Sequence, residues 1–210
     1  MIETNKREIA RQLIHLSGVG SVFFALKFGK FITGTGALVI SVGLFILSFY
    51  VKLKHEIRKM LPLRIKFIEN LEDSFHELLN SVEREETKIP YMGAILFFAG
   101  IGISFLVFPL KIGILATIVL SVGDSISTLI GVHVGTHKIK INPKKSWEGT
   151  LSGLLGAFAV CSLFTNPLTA FIASLTGMVI ELLPIEINDN LLIPFTVGFV
   201  LLGTNMFFPV

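Results

Sequence analysis

The sequence predicts an all-α, polytopic integral membrane protein that folds as one helix bundle. The mean hydropathy of the 210 residues is +0.76, which is too high for a soluble domain. Apolar runs of about 17 to 25 residues recur along the chain, long enough to cross a bilayer as helices. The single cysteine, Cys161, lies inside one of these runs, so no disulfide framework is expected. We therefore expect one membrane-embedded domain over residues 1–210.

The apolar runs predict about seven transmembrane helices. The first run directly follows a polar start without a small-residue cleavage site, so we expect an uncleaved first span rather than a signal peptide. The predicted spans are about 10–27, 32–52, 90–108, 112–133, 149–165, 168–184 and 191–208.

A polar segment at about 53–88 separates the second and third spans. Its apolar residues recur at helical spacing, with acidic residues on the other side, which is typical of an amphipathic helix at a membrane surface. These apolar residues are Ile68, Leu71, Phe75, Leu78, Leu79 and Val82. We assign this segment no chemistry.

The distribution of basic residues predicts the orientation of the spans. With a cytoplasmic N-terminus, the inner segments hold every Lys and Arg except Lys27, Lys30 and Lys111. This imbalance follows the positive-inside rule. It predicts a cytoplasmic N-terminus and places the loop at 134–148 in the cytoplasm. The net charge of +3 does not indicate nucleic-acid binding, because the basic residues lie where membrane topology would put them.

The stretch from Gly123 to Thr150, GDSISTLIGVHVGTHKIKINPKKSWEGT, carries the most unusual pattern of the chain. If 124–135 is helical, residues three, four and seven apart share one face. That face holds Asp124, Thr128, Gly131 and Gly135. A short basic loop follows, with Lys138, Lys140, Lys144 and Lys145, and then Ser146-Trp147-Glu148-Gly149. The arrangement suits a magnesium-bound polyphosphate delivered to a molecule dissolved in the bilayer.

Other polar groups are expected at the same cytoplasmic face. Arg11 and His15 lie at helical spacing in the first span, and Glu181 and Asp189 flank the last cytoplasmic turn. An ionisable residue within a span indicates a functional site unless it only anchors a helix end. Snorkelling remains an alternative for Arg11, and ordinary positive-inside lysines remain an alternative for the basic loop.

Phosphoryl transfer mainly requires positioning and neutralisation of the transferred charge. No Walker A sequence is present, so a nucleotide would be held by another cradle. Magnesium prefers one or two carboxylates together with water and phosphate oxygens. Asp124 and Glu181 are the predicted metal ligands, and Lys144 and Lys145 the compensating cations.

These motifs resemble the CTP-using membrane family that includes dolichol kinase, phytol kinase and the CTP-dependent diacylglycerol kinase. The central resemblance is GDSISTLIGVHVG followed by KKSWEGTLSG, and it is more distantly similar to the CDP-diacylglycerol synthases. EIARQLIHLSG, REETKIPYMGAILFFAG and IELLPIEINDNLLIP resemble three further segments of the family. Gln12 departs from the pattern, since the family usually has Lys at that position.

The resemblance implies transfer of the γ-phosphoryl group of CTP to a membrane lipid alcohol, with Mg²⁺ as cofactor. It implies that Asp124 binds magnesium or accepts the hydroxyl proton, that Lys145 is catalytic, and that Glu148 orients a lysine or the metal. The remaining residues would bind the nucleotide: Arg11, His15, Gly131, Gly135, Lys138, Lys144, Ser146, Gly149, Asp189 and Asn190.

Two other functions remain open from the sequence. A cytidylyltransferase joining CMP to a lipid phosphate, as in CDP-diacylglycerol or CDP-archaeol synthesis, would use the same carboxylates and lysines. An ion-coupled carrier would instead relay protons through Asp124 and Glu181 and would have no use for a cytoplasmic lysine loop. The sequence does not predict which lipid alcohol is used (a polyprenol or dolichol, a phytol-type prenol, or diacylglycerol) or the oligomeric state.

Overall fold

The computed structural model describes residues 2–58 and 89–205, and within these ranges the chain is mostly helical. Three helices precede the gap, and six α-helices and one two-stranded hairpin follow it. The helices are α1 (Ile2–Leu16), α2 (Val19–Phe28), α3 (Lys30–Arg58), α4 (Met92–Val107), α5 (Leu110–Ile118), α6 (Asp124–His133), α7 (Trp147–Cys161), α8 (Pro167–Leu182) and α9 (Asp189–Asn205). The strands are β1 (Lys138–Ile139) and β2 (Asn142–Ser146).

Two helical stretches of the described residues are long and apolar enough to cross a membrane. They are Lys30–Val51 within α3 and the continuous rod Leu110–His133, with mean hydropathies of 2.0 and 1.8. Shorter apolar helices occupy Met92–Val107, Pro167–Leu182 and Asp189–Thr204. The helical class is therefore confirmed, whereas the count of seven spans stays a prediction. Most of the predicted segment at 53–88 lies outside the described residues.

The predicted first span, 10–27, is not one helix. It divides into α1 and α2 at Ser17 and Gly18, two residues beyond His15. A Cβ at Gly18 would lie 2.3 Å from the Ser121 hydroxyl oxygen, so only glycine permits this close approach to the rod. The prediction was wrong here because hydropathy alone does not reveal a helix break that results from tertiary packing.

The rod Leu110–His133 contains a π-helical turn at Val119–Gly123, between α5 and α6. All five residues of this turn are buried, and Asp124 follows it directly. π-turns insert an extra residue into a helix and occur frequently at functional sites. The rod agrees with the predicted span 112–133, but the turn within it was not predicted.

The expected basic loop is an antiparallel hairpin. Lys138 pairs with Ser146 and Ile139 with Asn142, with a register irregularity between Lys138 and Ile139. Buried Ile139 anchors the hairpin, and Ser146 then caps α7 by accepting a hydrogen bond of 3.2 Å from the Gly149 amide. The N-cap bond satisfies a backbone donor that the start of the helix would otherwise leave unpaired.

Glycines bring α7 into close contact with the rod. A Cβ at Gly153 would lie 2.6 Å from the Gly123 carbonyl oxygen, and one at Gly156 would lie 2.4 Å from Ile126 Cδ1. Small residues at such spacing allow helix backbones to approach closely. Gly153 and Gly156 therefore serve helix packing. This crossing places the first turn of α7 and the hairpin beside α6.

Candidate functional site

A lysine from the hairpin reaches two acidic side chains that belong to different helices. The Lys145 ammonium bonds the Glu181 carboxylate of α8, and its Nζ lies 3.9 Å from Oδ1 of Asp124 on α6. The side chain of Glu181 is only 1% exposed, and those of Asp124 and Lys145 are 9% and 16% exposed. Burial by itself would lower the pKa of Lys145, but Glu181, Asp124 and Asp189 together hold that pKa above its ordinary value of 10.5. The lysine is therefore cationic at neutral pH.

Two hydroxyls of α6 support the carboxylates. Ser127 donates a 2.9 Å hydrogen bond to Glu181, and Thr128 lies 3.4 Å from Asp124. The predicted helical face that joins Asp124 to Thr128 is thus present. Ser127 was not predicted, although its position three residues after Asp124 was the available signal.

His15 closes the site from the side of α1. Its Nδ1 lies 3.6 Å from Oδ2 of Asp124, and its ring stacks on Phe97 of α4 with ring centroids 4.4 Å apart. Ser125 ties the same two helices together by donating a 3.3 Å hydrogen bond to the Gln12 carbonyl. The predicted His15 therefore meets the predicted Asp124, and Phe97 is an addition that sequence reasoning missed.

Three further polar residues of α1 bind one another. Arg11 and Gln12 donate to the same carboxylate, that of Glu8, over 2.5 and 2.8 Å. Gln12, at the position where related proteins were expected to have Lys, is fully buried. Glu8 therefore holds the side chain of Arg11, which lies one helical turn before His15.

Strand alternation separates the two neighbouring lysines of β2. Lys145 turns inward to the carboxylates, whereas Lys144 is exposed, as is Lys138 on β1. Side chains of successive strand residues point to opposite faces. Lys144 and Lys138 therefore lie on the outer surface of the hairpin, and their predicted contacts with a nucleotide stay predictions.

Glu148 binds the turn that precedes the hairpin. Its Oε1 accepts a 2.7 Å hydrogen bond from the Thr136 hydroxyl and a 3.0 Å bond from the His137 amide, and it lies 2.6 Å from His137 Nδ1. The bonds to His137 and Thr136 hold the pKa of Glu148 below its ordinary range. The expected role, orientation of a lysine or metal, is untested, and these contacts instead tie the start of α7 to the turn before β1.

The site glycines contact the chain itself. A Cβ at Gly135 would lie 2.3 Å from the Ser146 hydroxyl, and one at Gly149 would lie 2.5 Å from the Ser127 carbonyl oxygen and 2.9 Å from Gly131 Cα. Gly135 lies beyond the end of α6 at His133, so it does not extend the predicted helical face. These glycines were predicted to bind the nucleotide. In the structure, the space that a side chain would fill at these glycines is occupied by neighbouring atoms of the chain, including Ser146.

Asp189 and Asn190 begin α9 at the edge of the site. Asp189 acts on Lys145 electrostatically, together with Glu181 and Asp124. The side-chain amide of Asn190 donates a 2.9 Å hydrogen bond to the Gly93 carbonyl oxygen. Asn190 thus joins α9 to α4, whereas Asp189 belongs to the acidic surroundings of Lys145.

The oxygen ligands of the site suit magnesium. Oε2 of Glu181 is buried and has no hydrogen-bond partner within the described ranges. Across these ranges there is no group of three or more His, Cys, Asp or Glu residues that could hold a metal. Magnesium commonly binds one or two carboxylates and completes its coordination with phosphate oxygens and water, and the expected magnesium site at Asp124 and Glu181 stays a prediction.

Comparison with known proteins identifies the family of the chain. Residues 23–204 match the cytidylyltransferase family, so the matched region includes the hairpin and all the site residues outside α1. The chain belongs to the cytidylyltransferase family.

Two relatives extend the comparison. The chain is 34% identical to an uncharacterized protein of Methanocaldococcus jannaschii over 199 residues, covering 93% of each chain. It is 32% identical to CTP-dependent diacylglycerol kinase 1 of Schizosaccharomyces pombe over 90 residues, which cover 43% of this chain and 39% of that protein. No solved structure gives a significant match. These matches confirm the resemblance to the CTP-using lipid-kinase family, and the more distant similarity to CDP-diacylglycerol synthases is consistent with the family match.

Proposed function

We propose that this protein is an integral membrane enzyme that transfers the γ-phosphoryl group of CTP to the hydroxyl of a membrane lipid alcohol. The products are a lipid phosphate and CDP. The observation that carries the proposal is the Lys145 cation held between Asp124 and Glu181, within a chain of the cytidylyltransferase family. The partial similarity to a CTP-dependent diacylglycerol kinase supports the kinase reaction in particular.

The proposed reaction requires one proton acceptor and several positive groups. The lipid oxygen forms a bond to the γ-phosphorus while the bond from that phosphorus to the β,γ-bridging oxygen breaks and CDP leaves. Asp124 accepts the hydroxyl proton, and His15, 3.6 Å away, orients that carboxylate. Lys145 exchanges its contact with Glu181 for the phosphate oxygens and offsets their charge. Arg11, Lys138 and Lys144 would bind the nucleotide further out, and Asp189 and Asn190 its ribose or base.

Magnesium would be held by Asp124 and Glu181. Bound there, the ion supplies neutralisation of phosphate charge and a template for the phosphate oxygens. Removal of divalent cations with a chelator should abolish transfer, and added Mg²⁺ should restore it. Full transfer in the presence of excess chelator would exclude this part of the proposal.

A second candidate is suggested by the family description itself. A cytidylyltransferase would join CMP to a lipid phosphate and release pyrophosphate, and it would need the same carboxylates and lysine. The ion-coupled carrier is disfavoured, because it gives no role to a hairpin lysine that reaches both buried acids.

CTP labelled separately at the α and γ phosphates distinguishes these functions. Purified protein is incubated with Mg²⁺ and a panel of lipid alcohols and lipid phosphates. Label entering an alcohol from the γ position supports the kinase, and label entering a lipid phosphate from the α position supports the cytidylyltransferase. Absence of transfer and of CTP binding would refute both and favour the carrier.

The proposed orientation places the hairpin in the cytoplasm within a multi-pass topology. A cysteine introduced at exposed Lys140 provides the probe, because Cys161, the natural cysteine, is buried. An impermeant thiol reagent should label this variant in inverted membrane vesicles and not in intact cells. Labelling in intact cells would reverse the orientation.

A further inference from the structure

An apolar groove runs beside the candidate site, between α2, α3 and α4. Its volume is about 340 Å³, at the lower end of the roughly 300–1,000 Å³ typical of small-molecule sites. Phe24, Ile32, Ile40, Phe98 and Ile101 form much of its wall. The groove is thus separate from the polar cluster around Lys145.

The hydroxyls that line the groove do not make it polar. Those of Ser17, Ser21 and Thr33 donate to the carbonyl oxygens of Ile14, Gly18 and Gly29 over 2.5, 2.6 and 2.9 Å. Because each of these hydroxyls already donates its hydrogen to a backbone carbonyl, the wall favours a hydrocarbon over a polar ligand.

Phe97 joins the groove to the candidate site. One part of its ring lines the groove, and the ring also stacks on His15, which lies 3.6 Å from Asp124. Gly18, another lining residue, packs against buried Ser121 in the π-helical turn that immediately precedes Asp124. The rings of Phe97 and His15 therefore connect the groove to the proposed proton acceptor, Asp124.

We infer that this groove binds the hydrocarbon tail of the acceptor alcohol and directs its hydroxyl past Phe97 toward His15 and Asp124. The inference rests on the proposed function for the identity of the ligand. It assigns the tail to α2, α3 and α4 and the nucleotide to the hairpin side, so that the two substrates meet at Asp124 from opposite directions.

Glycines in the groove wall provide a direct test. Gly36 on α3 lines the groove and a Cβ there would meet no atom within 4 Å, so Gly36→Leu adds a side chain to the groove wall at an open position. Gly43, seven residues further along α3, is equally open but does not line the groove, and Gly43→Leu is the matched control. Gly20→Leu fills the groove from α2 and replaces Gly36→Leu if that variant does not fold.

The first readout is binding. Purified protein in lipid nanodiscs is photolabelled with a long-chain alcohol that carries a diazirine in its tail, and the labelled peptides are mapped by mass spectrometry. We expect label on α2, α3 and α4, reduced by about tenfold in Gly36→Leu and unchanged in Gly43→Leu. Equal labelling of both variants, or label confined to other helices, would overturn the inference. A changed oligomeric state in Gly36→Leu alone would also overturn it, because a second copy would then occupy the groove.

The second readout is transfer from CTP. In Gly36→Leu the KM for a long-chain alcohol should rise about tenfold, while CTP binding and transfer to a short-chain alcohol are retained. If the wild-type protein is labelled in the groove but transfers nothing, the proposed function is refuted and binding of a hydrocarbon tail in the groove is still supported. Active transfer without labelling of the groove would refute only the binding of the tail in the groove.

Discussion

Replacement of Lys145 by Met tests whether the hairpin lysine neutralises two buried acids. The substitution keeps most of the side-chain stem but removes the charge that faces Glu181 and Asp124. Removing one partner of a buried ion pair costs about 3–5 kcal/mol. Because Lys145 remains 16% exposed, water screens part of this effect and we expect a loss of about 3 kcal/mol.

The expected shift is large enough to measure by thermal unfolding in detergent. For a chain of this size, each kcal/mol changes Tm by about 2–4 °C, so Lys145→Met should melt about 6–12 °C below wild type. Lys140→Met is the control, since it removes the same charge from an exposed position of the same hairpin. It should change the free energy of unfolding by less than about 0.5 kcal/mol.

A double variant separates electrostatics from packing. Lys145→Met/Glu181→Gln also removes the carboxylate that lost its cation. The loss of unfolding free energy in the double variant should therefore be smaller than the sum of the two single losses by about 1–3 kcal/mol. Additivity within about 0.5 kcal/mol, or a Tm of Lys145→Met equal to that of Lys140→Met, would refute the reasoning. The pKa of Lys145 is raised above its ordinary value of 10.5, so its stabilising effect should be complete below that value and lost only as pH rises through its folded-state pKa.

Three further predictions address the rest of the site. Asp124→Asn should fold and insert but lose transfer by about 10²–10⁴-fold, the usual effect of a lost proton acceptor; near-normal turnover would exclude this role. Glu148→Gln should increase hydrogen exchange at Thr136 and in the hairpin. The pKa of Glu148 is lowered from 4.5, so Glu148 stabilises the fold above pH 4.5 and this stabilisation is lost as pH falls through its folded-state pKa. Acidification should therefore increase hydrogen exchange in the hairpin of the wild-type protein. Unchanged exchange in the acidified wild type would contradict this role of Glu148. Gly153→Leu should destabilise the protein by at least about 1–3 kcal/mol, because its Cβ would lie 2.6 Å from a backbone oxygen; melting equal to that of the Gly43→Leu control would refute the close crossing.

The sequence predicts the helical class and the approximate extent of several helices because their apolar runs end at polar or turn residues. The predicted span 168–184 corresponds to α8, which begins at Pro167 after the Asn166 cap and ends at Leu182. The break between α1 and α2 could not be predicted, because Gly18 and Gly20 are tolerated within membrane helices. Its cause is the contact of Gly18 with Ser121, more than 100 residues away in the sequence.

The candidate site could be predicted only in outline. Reasoning from the spans places Asp124, Glu181 and the lysine loop at one face, and the structure brings these groups together. That reasoning treated Lys144 and Lys145 alike, and only the family resemblance gave Lys145 the catalytic role. The directions of the two side chains depend on strand register within a hairpin that was expected to be a loop. The partners of Glu148 could not be predicted either, because Thr136 and His137 contact it only through the conformation of the turn before β1.

The π-helical turn implies that the spacing of residues along the rod, as well as their chemistry, is under constraint. One residue of an α-helix corresponds to about 100° of rotation. Deleting any one residue of Val119–Gly123 would convert the turn to ordinary α-helix and rotate Asp124 by about that angle relative to α5. The acid would then turn away from Lys145 and His15 although every residue of the site remained in the chain. The extra residue of the π-helical turn thus sets the direction in which Asp124 points, independently of the packing of α5.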